Sequence, residues 1–486
     1  MAFRANSLAS EKPNKTKEDL AGQVTMQKTY EEGDVEANED STAAHEDGVF
    51  GAQGGSDTVQ YRSLGWIWTG FFLTKSMIGL GVLTIPFAFQ TLGLVPGILV
   101  ILVVAAMTLW TDIYVGLFKC KHPEVYSLAD AGRLIFGRAG SITFGIAYWL
   151  FCTFVAGSAF VGISTAFNAI TMHGTCTVVF VLIAMLVALP FAMLPKLADI
   201  KWLSYIGLMS IVPAILLVTI AVGAGERPAS APQSGPLDLQ IKMFNTPTFA
   251  DAMSAVANIV FAFAGTPVFL PIASEMRRPA DFWKSVILCQ SFCTAFYLAV
   301  SITVYLYAGV YVASPALGTA GVLIKRVAYG LALPGLWFTA IIYVHLPAKV
   351  LMVRMLRGSH HLAHKTRKHW ITWFSCTIGC ACFSYVIAEA IPVFGGLVGL
   401  IGALFGTLLT FHAEASMYLF DIWAAFRDPK TRTFKLWCGV IGNVALIIVG
   451  SFLMVGGAYG SIVSIKNSYA AVGGTPFSCA DNSNSV

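Results

Sequence analysis

The sequence predicts an all-α polytopic membrane protein with about eleven transmembrane helices, and three observations carry that expectation. The 486 residues are 56% hydrophobic and 12% charged, with a mean hydropathy of +0.70, whereas a soluble domain is about a quarter charged. Apolar stretches near the roughly twenty residues that cross a hydrocarbon core recur near 66–92, 94–118, 140–168, 176–195, 202–224, 250–273, 282–311, 320–352, 371–390, 393–415 and 435–458. The first and the sixth of these carry glycine and proline near their middles, where a membrane helix tolerates loose backbone least.

Residues 1–61 read as a disordered cytoplasmic tail, rich in Glu, Asp, Lys, Ser, Ala and Gly with hardly an aromatic. No apolar core follows a basic start, so no cleavable signal peptide is expected. The sequon Asn14-Lys15-Thr16 lies in this tail, and Lys12, Lys15 and Lys17 are candidate targets of the ubiquitination machinery. An inert solvated tail is the competing reading.

Basic residues fix the expected orientation. Lys119, Lys121, Arg133 and Arg138 follow the second span, Lys196 and Lys201 the fourth, and Arg277, Arg278 and Lys284 the sixth. Arg354, Arg357, Lys365, Arg367 and Lys368 follow the eighth, and Arg427, Lys430 and Arg432 the tenth. The connections 90–96, 168–175 and 388–392 contain no Lys or Arg. Basic connections stay cytoplasmic, so the N-terminus is expected inside and the C-terminus outside. Lys325 and Arg326 fit this scheme least well. The net charge of +5 is spread over such connections and is no nucleic-acid signature.

The first break reads Ser76-Met77-Ile78-Gly79-Leu80-Gly81-Val82-Leu83-Thr84-Ile85-Pro86, and the second Phe261-Ala262-Phe263-Ala264-Gly265-Thr266-Pro267. Each opens a block of five spans. Five is odd, so the second block enters the membrane from the opposite side, which gives a 5+5 inverted repeat. Residues 62–224 form the first repeat and 250–415 the second, joined by an extracytoplasmic loop at 225–249. A cytoplasmic loop at 416–434, an extra helix at 435–458 and an extracytoplasmic tail at 459–486 follow. Paired broken helices point to a transporter's central binding site; a proline kink or packing glycine is the ordinary alternative.

Half-helix ends offer bare amides to a carboxylate and bare carbonyls to an ammonium, and a zwitterionic amino acid carries both. Ile78, Gly79, Leu80 and Gly81 are the candidate head-group site, because glycine lets a ligand approach the backbone. Phe261, Ala262, Phe263, Ala264, Gly265 and Thr266 are candidates for the ammonium and the side-chain wall. Phe154, Ser158, Trp337, Thr339 and Tyr343 are further possible walls. Ionisable groups inside spans are costly and mark function by default. Lys75, one turn before Gly79, is a coupling candidate, with snorkelling to the interface as the alternative. Glu275 is a gate candidate beside Arg277 and Arg278, and His345, one turn from Lys349, a proton-relay candidate. Asp112 and Glu389 are placed near interfaces and given no role.

The same residues resemble the amino acid/auxin permease family. Ser76 to Leu83 followed by Ile85-Pro86 is similar to its first-helix signature, and Phe261 to Gly265 with Pro271 and Glu275-Met276 to its sixth-helix signature; Ser127-Leu128-Ala129-Asp130 and Phe136-Gly137 fit as well. The resemblance runs from about Arg62 to Gly457, with fungal neutral amino acid permeases the most similar. It implies eleven spans, a leucine-transporter-type fold and cation-driven amino acid uptake. Many members carry histidine where this chain has Thr266, which puts any step through that histidine in doubt. In sodium-coupled relatives a metal ion sits where the Lys75 ammonium can reach, so proton symport is the expected coupling.

Under this topology Cys176 and Cys479 alone face the oxidising side, and a bridge between them is expected. His360, His361, His364 and His369 stand in a basic connection without acidic or cysteine companions, so no metal is expected, nor any cofactor. No phosphate-binding loop, H-E-x-x-H motif or nucleophile–base pair appears, so neither ATP-driven transport nor an enzyme is expected. The reading is thus a secondary importer of neutral aliphatic or aromatic amino acids in a plasma or vacuolar membrane. A carrier of another small carboxylate such as an auxin-like acid, and an amino acid-sensing receptor without net transport, are its rivals.

Overall fold

The computed structural model describes residues 46–47, 51–52, 64–194, 201–225, 227–356, 366–427, 433–472 and 475–483. Apart from the paired two-residue strands Glu46–Asp47 and Gly51–Ala52, the tail with its sequon and lysines lies outside the described residues. So do His360, His361, His364 and Lys196.

Among the described residues eleven helical segments follow, near the positions the apolar stretches predict. α1 (Trp66–Met77) and α2 (Ile85–Leu92) form the broken first span, with a single 3-10 turn over Gly81–Leu83 between them. The two halves of this span are bent by 46°. Pro86 stands in the first turn of α2, where its missing N–H costs nothing. α3 (Leu94–Lys121) follows Gly93 directly. That glycine has φ 92°, and a Cβ there would meet the Asn245 backbone nitrogen at 2.7 Å.

α4 (Leu128–Thr171) opens on a capping box in which Ser127 and Asp130 satisfy each other's amides. It kinks at Gly137, where φ is 66°. α5 (Thr177–Ala192) has only 16 residues. α6 (Lys201–Gly223) leads through the irregular stretch 227–248 to the broken sixth span. That span is α7 (Phe249–Phe263), a 3-10 turn at Thr266–Val268, and α8 (Phe269–Ser274). α9 (Phe282–Ala308), α10 (Val322–Leu356) and α11 (Arg367–Ala390) are long and continuous.

The tenth span departs from expectation. α12 (Phe394–Ile401) passes into a π-helical stretch, Gly402–His412, and then into α13 (Ala413–Arg427). The chain expected as a loop from residue 416 is therefore helical to Arg427. Asp421 explains why: it accepts from the Tyr114 hydroxyl at 2.7 Å and bonds His122 and Lys121 at 2.8 and 3.2 Å, fastening α13 to the end of α3. α14 (Phe434–Val472) likewise runs well past residue 458. Gly456, Gly457 and Gly460 in this helix are packing sites. A Cβ on them would meet Met253 at 2.7 Å, Ala403 at 2.9 Å and the Ala250 carbonyl at 2.3 Å.

Among the described residues nine helices are long and apolar enough to span a membrane, and the bent α1–α2 pair makes a tenth candidate. The eleventh segment, α5, is shorter. Apolar side chains such as Trp110, Met209, Ile220, Ile448 and Val455 remain exposed around the bundle, as a lipid-facing rim requires. The core lies where the broken spans meet α4, α9 and α10. Leu64, just before α1, pairs with the chain just after α8: its amide bonds the Glu275 carbonyl at 3.3 Å and its carbonyl the Arg277 amide at 3.0 Å. The two broken spans are thus tied together outside the core as well.

Candidate substrate site at the two helix breaks

The first break begins where Ile78 leaves the helix at φ −77°, ψ 101°, its amide still bonded to the Thr74 carbonyl at 2.8 Å. Helical bonding resumes with Leu83 to the Leu80 carbonyl at 3.2 Å and Thr84 to the Gly81 carbonyl at 3.0 Å. Between them the amides of Gly79 and Leu80 have no acceptor among the described residues. The two glycines differ. A Cβ on Gly79 would meet nothing within 4 Å, whereas one on Gly81 would lie 2.6 Å from the Ala262 Cα. Gly81 lets the two breaks touch, and Gly79 borders open space.

In the second break Ala264 turns out of the helix at φ −79°, ψ 58°, and the Gly265 amide reaches back only to the Phe263 carbonyl at 2.9 Å. Pro267 has no amide to give. One side chain joins both breaks: the Tyr297 hydroxyl on α9 lies 3.0 Å from the Met77 carbonyl and 3.1 Å from the Ala262 carbonyl. A phenol donates one hydrogen, so those two carbonyls share it. Carbonyls freed by unwinding are paid in part by this tyrosine, which the sequence reading missed.

The aromatic candidates separate by face. Phe261 is half-buried, with its ring 6.5 Å from Phe151 on α4, which in turn lies 6.1 Å edge-on to Tyr343 on α10. Phe263 points the other way and packs at 5.3 Å on Tyr297. Trp337 faces α5, donating to the Ala184 carbonyl at 3.3 Å, and so walls no site at the breaks. Phe154 packs on Phe405 at 5.4 Å. Ser158 and Thr339 spend their hydroxyls on carbonyls of their own helices, Val155 and Gly335.

Of the ionisable candidates, only Lys75 lies by the breaks. Its ammonium sits 3.6 Å from the centre of the Phe338 ring on α10. Glu275 caps α8 and is exposed, with its carbonyl engaged by Leu64. His345 is fully buried on the α5–α11 side. Its Nδ1 lies 3.1 Å from the Ala192 carbonyl and its ring packs edge-on against Trp373 at 5.1 Å. The structure does not bring His345 to the breaks.

Residues 62–463 match the family model described as transmembrane amino acid transporter protein. The chain belongs to that family. A transmembrane transporter of Fusarium pseudograminearum is 34% identical over 433 residues, covering 88% of this chain and 90% of that one. The N amino acid transport system protein of Neurospora crassa is 31% identical, covering 87% and 89%. A solved sodium-coupled sialic acid symporter is 12% identical with a TM-score of 0.49, covering 81% and 91%.

This transporter also buries two acids that the sequence reading set aside, Asp112 and Glu389, and a third that it did not consider, Glu414. Asp112, expected near an interface, is fully buried in α3. Its Oδ1 accepts from the Thr266 hydroxyl in the second break at 3.2 Å, and its Oδ2 from Gln290 Nε2 on α9 at 2.6 Å. Glu414, at the start of α13, is buried beside it. Glu389 is buried in the last turn of α11, under the tail, with its carbonyl taking the Phe477 amide at 3.1 Å.

The transporter's C-terminal tail folds back over one end of the bundle. Cys176 and Cys479 are joined by a disulfide, with their Cα atoms 4.5 Å apart. Asn482 accepts from Asn168 at 2.9 Å and donates to Ser164 at 3.0 Å, and Lys325 Nζ donates to the Ser483 carbonyl at 2.7 Å. Lys325, a poor fit as a free charge there, is therefore satisfied by the tail. Among the described residues no cluster of His, Cys, Asp or Glu is arranged to hold a metal ion.

Proposed function

We propose that the chain imports neutral amino acids by proton symport, with alternating access around the two breaks. The observation that carries this reading is the pair of amides at Gly79 and Leu80 that have no acceptor among the described residues, with open space at the Cβ position of Gly79 and a second unwound segment beside it. Those amides, at the N-terminal side of the α2 half, suit a carboxylate. The loosened carbonyls near Ala264 and Gly265 suit an ammonium. The wall made by Phe261, Phe151 and Tyr343 bears no charge, which supports a neutral aliphatic or aromatic side chain.

The distribution of Lys and Arg supports a cytoplasmic N-terminus and an extracellular C-terminus, and a disulfide at the tail end fits an oxidising side. The plasma membrane is the proposed location, with the vacuolar membrane as the competing one. A panel of radiolabelled amino acids in proteoliposomes, under imposed proton or sodium gradients, tests every part. Accumulation of neutral amino acids with an inward proton gradient is expected. Uptake of carboxylates lacking an amine, or binding without flux, would sink the substrate or the transport assignment.

A further inference from the structure

Beside the second break lies a polar pocket with more acceptors than donors. Asp112, Glu414 and Gln290 are each buried to 2% exposure or less. Thr266 and Gln290 donate to the two Asp112 oxygens, and Gln290 Nε2 also lies 3.3 Å from Thr108 Oγ1. Thr111 is spent on the Thr108 carbonyl at 3.2 Å, and Thr108 on the Val104 and Ala105 carbonyls at 3.0 and 3.2 Å. Asp112, Thr111 and Thr266 surround the Glu414 carboxyl group. Even so, neither Glu414 oxygen has a hydrogen bond of good geometry, and Gln290 Oε1, on the same amide that grips Asp112, has none either. Among the described residues these three buried acceptor oxygens are thus left without a well-aligned donor, since the hydroxyls nearest Glu414, on Thr111 and Thr266, are given to the Thr108 carbonyl and to Asp112. Two adjacent carboxylates in a membrane interior cannot both stay ionised without severe cost. A proton on one of them supplies one of the missing donors.

We propose that Asp112 and Glu414 form the proton-exchange site of this transporter, sharing one proton whose binding and release is coupled to the second break through Thr266. The inference rests on the reading of the chain as a proton-coupled amino acid carrier. The step is a simple transfer: water in the opened cavity gives a proton to a carboxylate oxygen and takes it back on the other side. When the cavity opens to water and the proton leaves, hydration lowers the cost of the ionised pair, and the Thr266 hydroxyl donates to a charged Asp112 and is held more tightly. When the pair is protonated that bond weakens, and the unwound segment is freer to move. By linkage, an amino acid bound at the break changes the pair's proton affinity by the factor with which the proton changes amino acid binding.

Other titratable groups stand apart or uncharged. The Cys289 sulfur of α9 is turned to the Met77 sulfur at 3.4 Å. Tyr114 of α3 is tied to Asp421 of α13 and packs on Tyr418, nearer the helix ends. His412, in the π-helical stretch, is turned to Ser451 of α14 at 2.9 Å. None of them competes for the shared proton.

The test uses Glu414→Gln and Asp112→Asn in proteoliposomes with labelled alanine, leucine and phenylalanine. Exchange at equal pH should persist, while accumulation driven by an imposed pH gradient should be lost. Infrared difference spectra on acidification should show a protonated-carboxyl band in the unaltered protein that Glu414→Gln abolishes. Variants that accumulate substrate like the parent, with the band intact, would overturn the proposal. So would sodium-driven uptake that the variants lose, since the pair would then hold a metal ion. If the parent exchanges no amino acid at all, the transport reading fails, and the infrared band still decides the shared proton. Should either variant fail to fold, the other carries the test, and the band in the parent stands by itself.

Discussion

Gly81 and Ala262 are in backbone contact: a Cβ on Gly81 would fall 2.6 Å from the Ala262 Cα and 2.8 Å from its Cβ. The two broken spans therefore meet at one glycine. Two residues earlier Gly79 has nothing within 4 Å of the same position. Similar residues in one motif carry different burdens, and substitution separates them.

Gly81→Ala should overpack this contact and cost about 1–3 kcal/mol, visible as a lower melting temperature of the solubilised protein. Gly79→Val should leave the melting temperature near that of the parent yet abolish uptake, because the branched side chain fills the space a carboxylate would enter and favours a continuous helix. Normal transport by Gly79→Val would remove the case for a head-group site there.

Tyr297→Phe keeps the ring against Phe263 and removes the hydroxyl that the Met77 and Ala262 carbonyls share. Leaving buried carbonyls short of a donor costs about 1–3 kcal/mol. The turnover rate should fall more than the apparent affinity, since the tyrosine touches backbone rather than the proposed ligand. Kinetics unchanged in both terms would show that the bridge is dispensable.

What the sequence disclosed, and what it concealed, has physical causes. Hydropathy located the helical segments among the described residues, of which nine, or ten with the bent α1–α2 pair, are long and apolar enough to span a membrane, and glycine with proline located both breaks, because a bilayer punishes polar backbone so heavily. Asp112 was misplaced because the second span was ended at 118. α3 in fact runs to Lys121, which puts Asp112 nine residues, or about 13 Å, from the helix end. Glu414 was not singled out at all: the tenth span was ended at 415, whereas the π-helical stretch and α13 carry the helix on to Arg427 and place Glu414 inside it. Their partners Thr266 and Gln290 lie more than 150 residues away from Asp112 along the chain, so no local pattern announces them. Trp337 was misjudged for another reason: a membrane helix is apolar on every side, so composition does not tell which face meets the site.

The Cys176–Cys479 bridge closes a separation of 303 residues and pins the tail onto Asn168, Ser164 and Thr177. Replacing both cysteines by serine should lower thermal stability by about 2–4 kcal/mol, and a reducing agent should do the same to the parent but not to the double variant. Labelling of intact cells with an impermeant thiol reagent should leave both positions unmodified unless reductant is added. Labelling of both without reductant would exclude the bridge.

Coupling makes the sharpest prediction about Lys75. Its ammonium lies over Phe338 of α10, 3.6 Å from the ring centre, so it points towards the eighth span. A sodium ion held within about 4 Å of that charge would be repelled by about 4 kcal/mol at an effective dielectric constant of 20. On the proton-symport proposal, a positive charge on Lys75 would take the place of a metal between the first and eighth spans, and the proton would be carried elsewhere. Lys75→Met keeps the apolar stem against Phe338 and removes only the charge. If the charge matters, this variant should lose pH-gradient-driven accumulation while still folding; if only packing matters, it should transport like the parent. Replacing sodium by choline at constant pH should leave uptake by the parent unchanged. Collapse of that uptake would show that a metal ion, not a lysine, balances the site, whatever the methionine variant does.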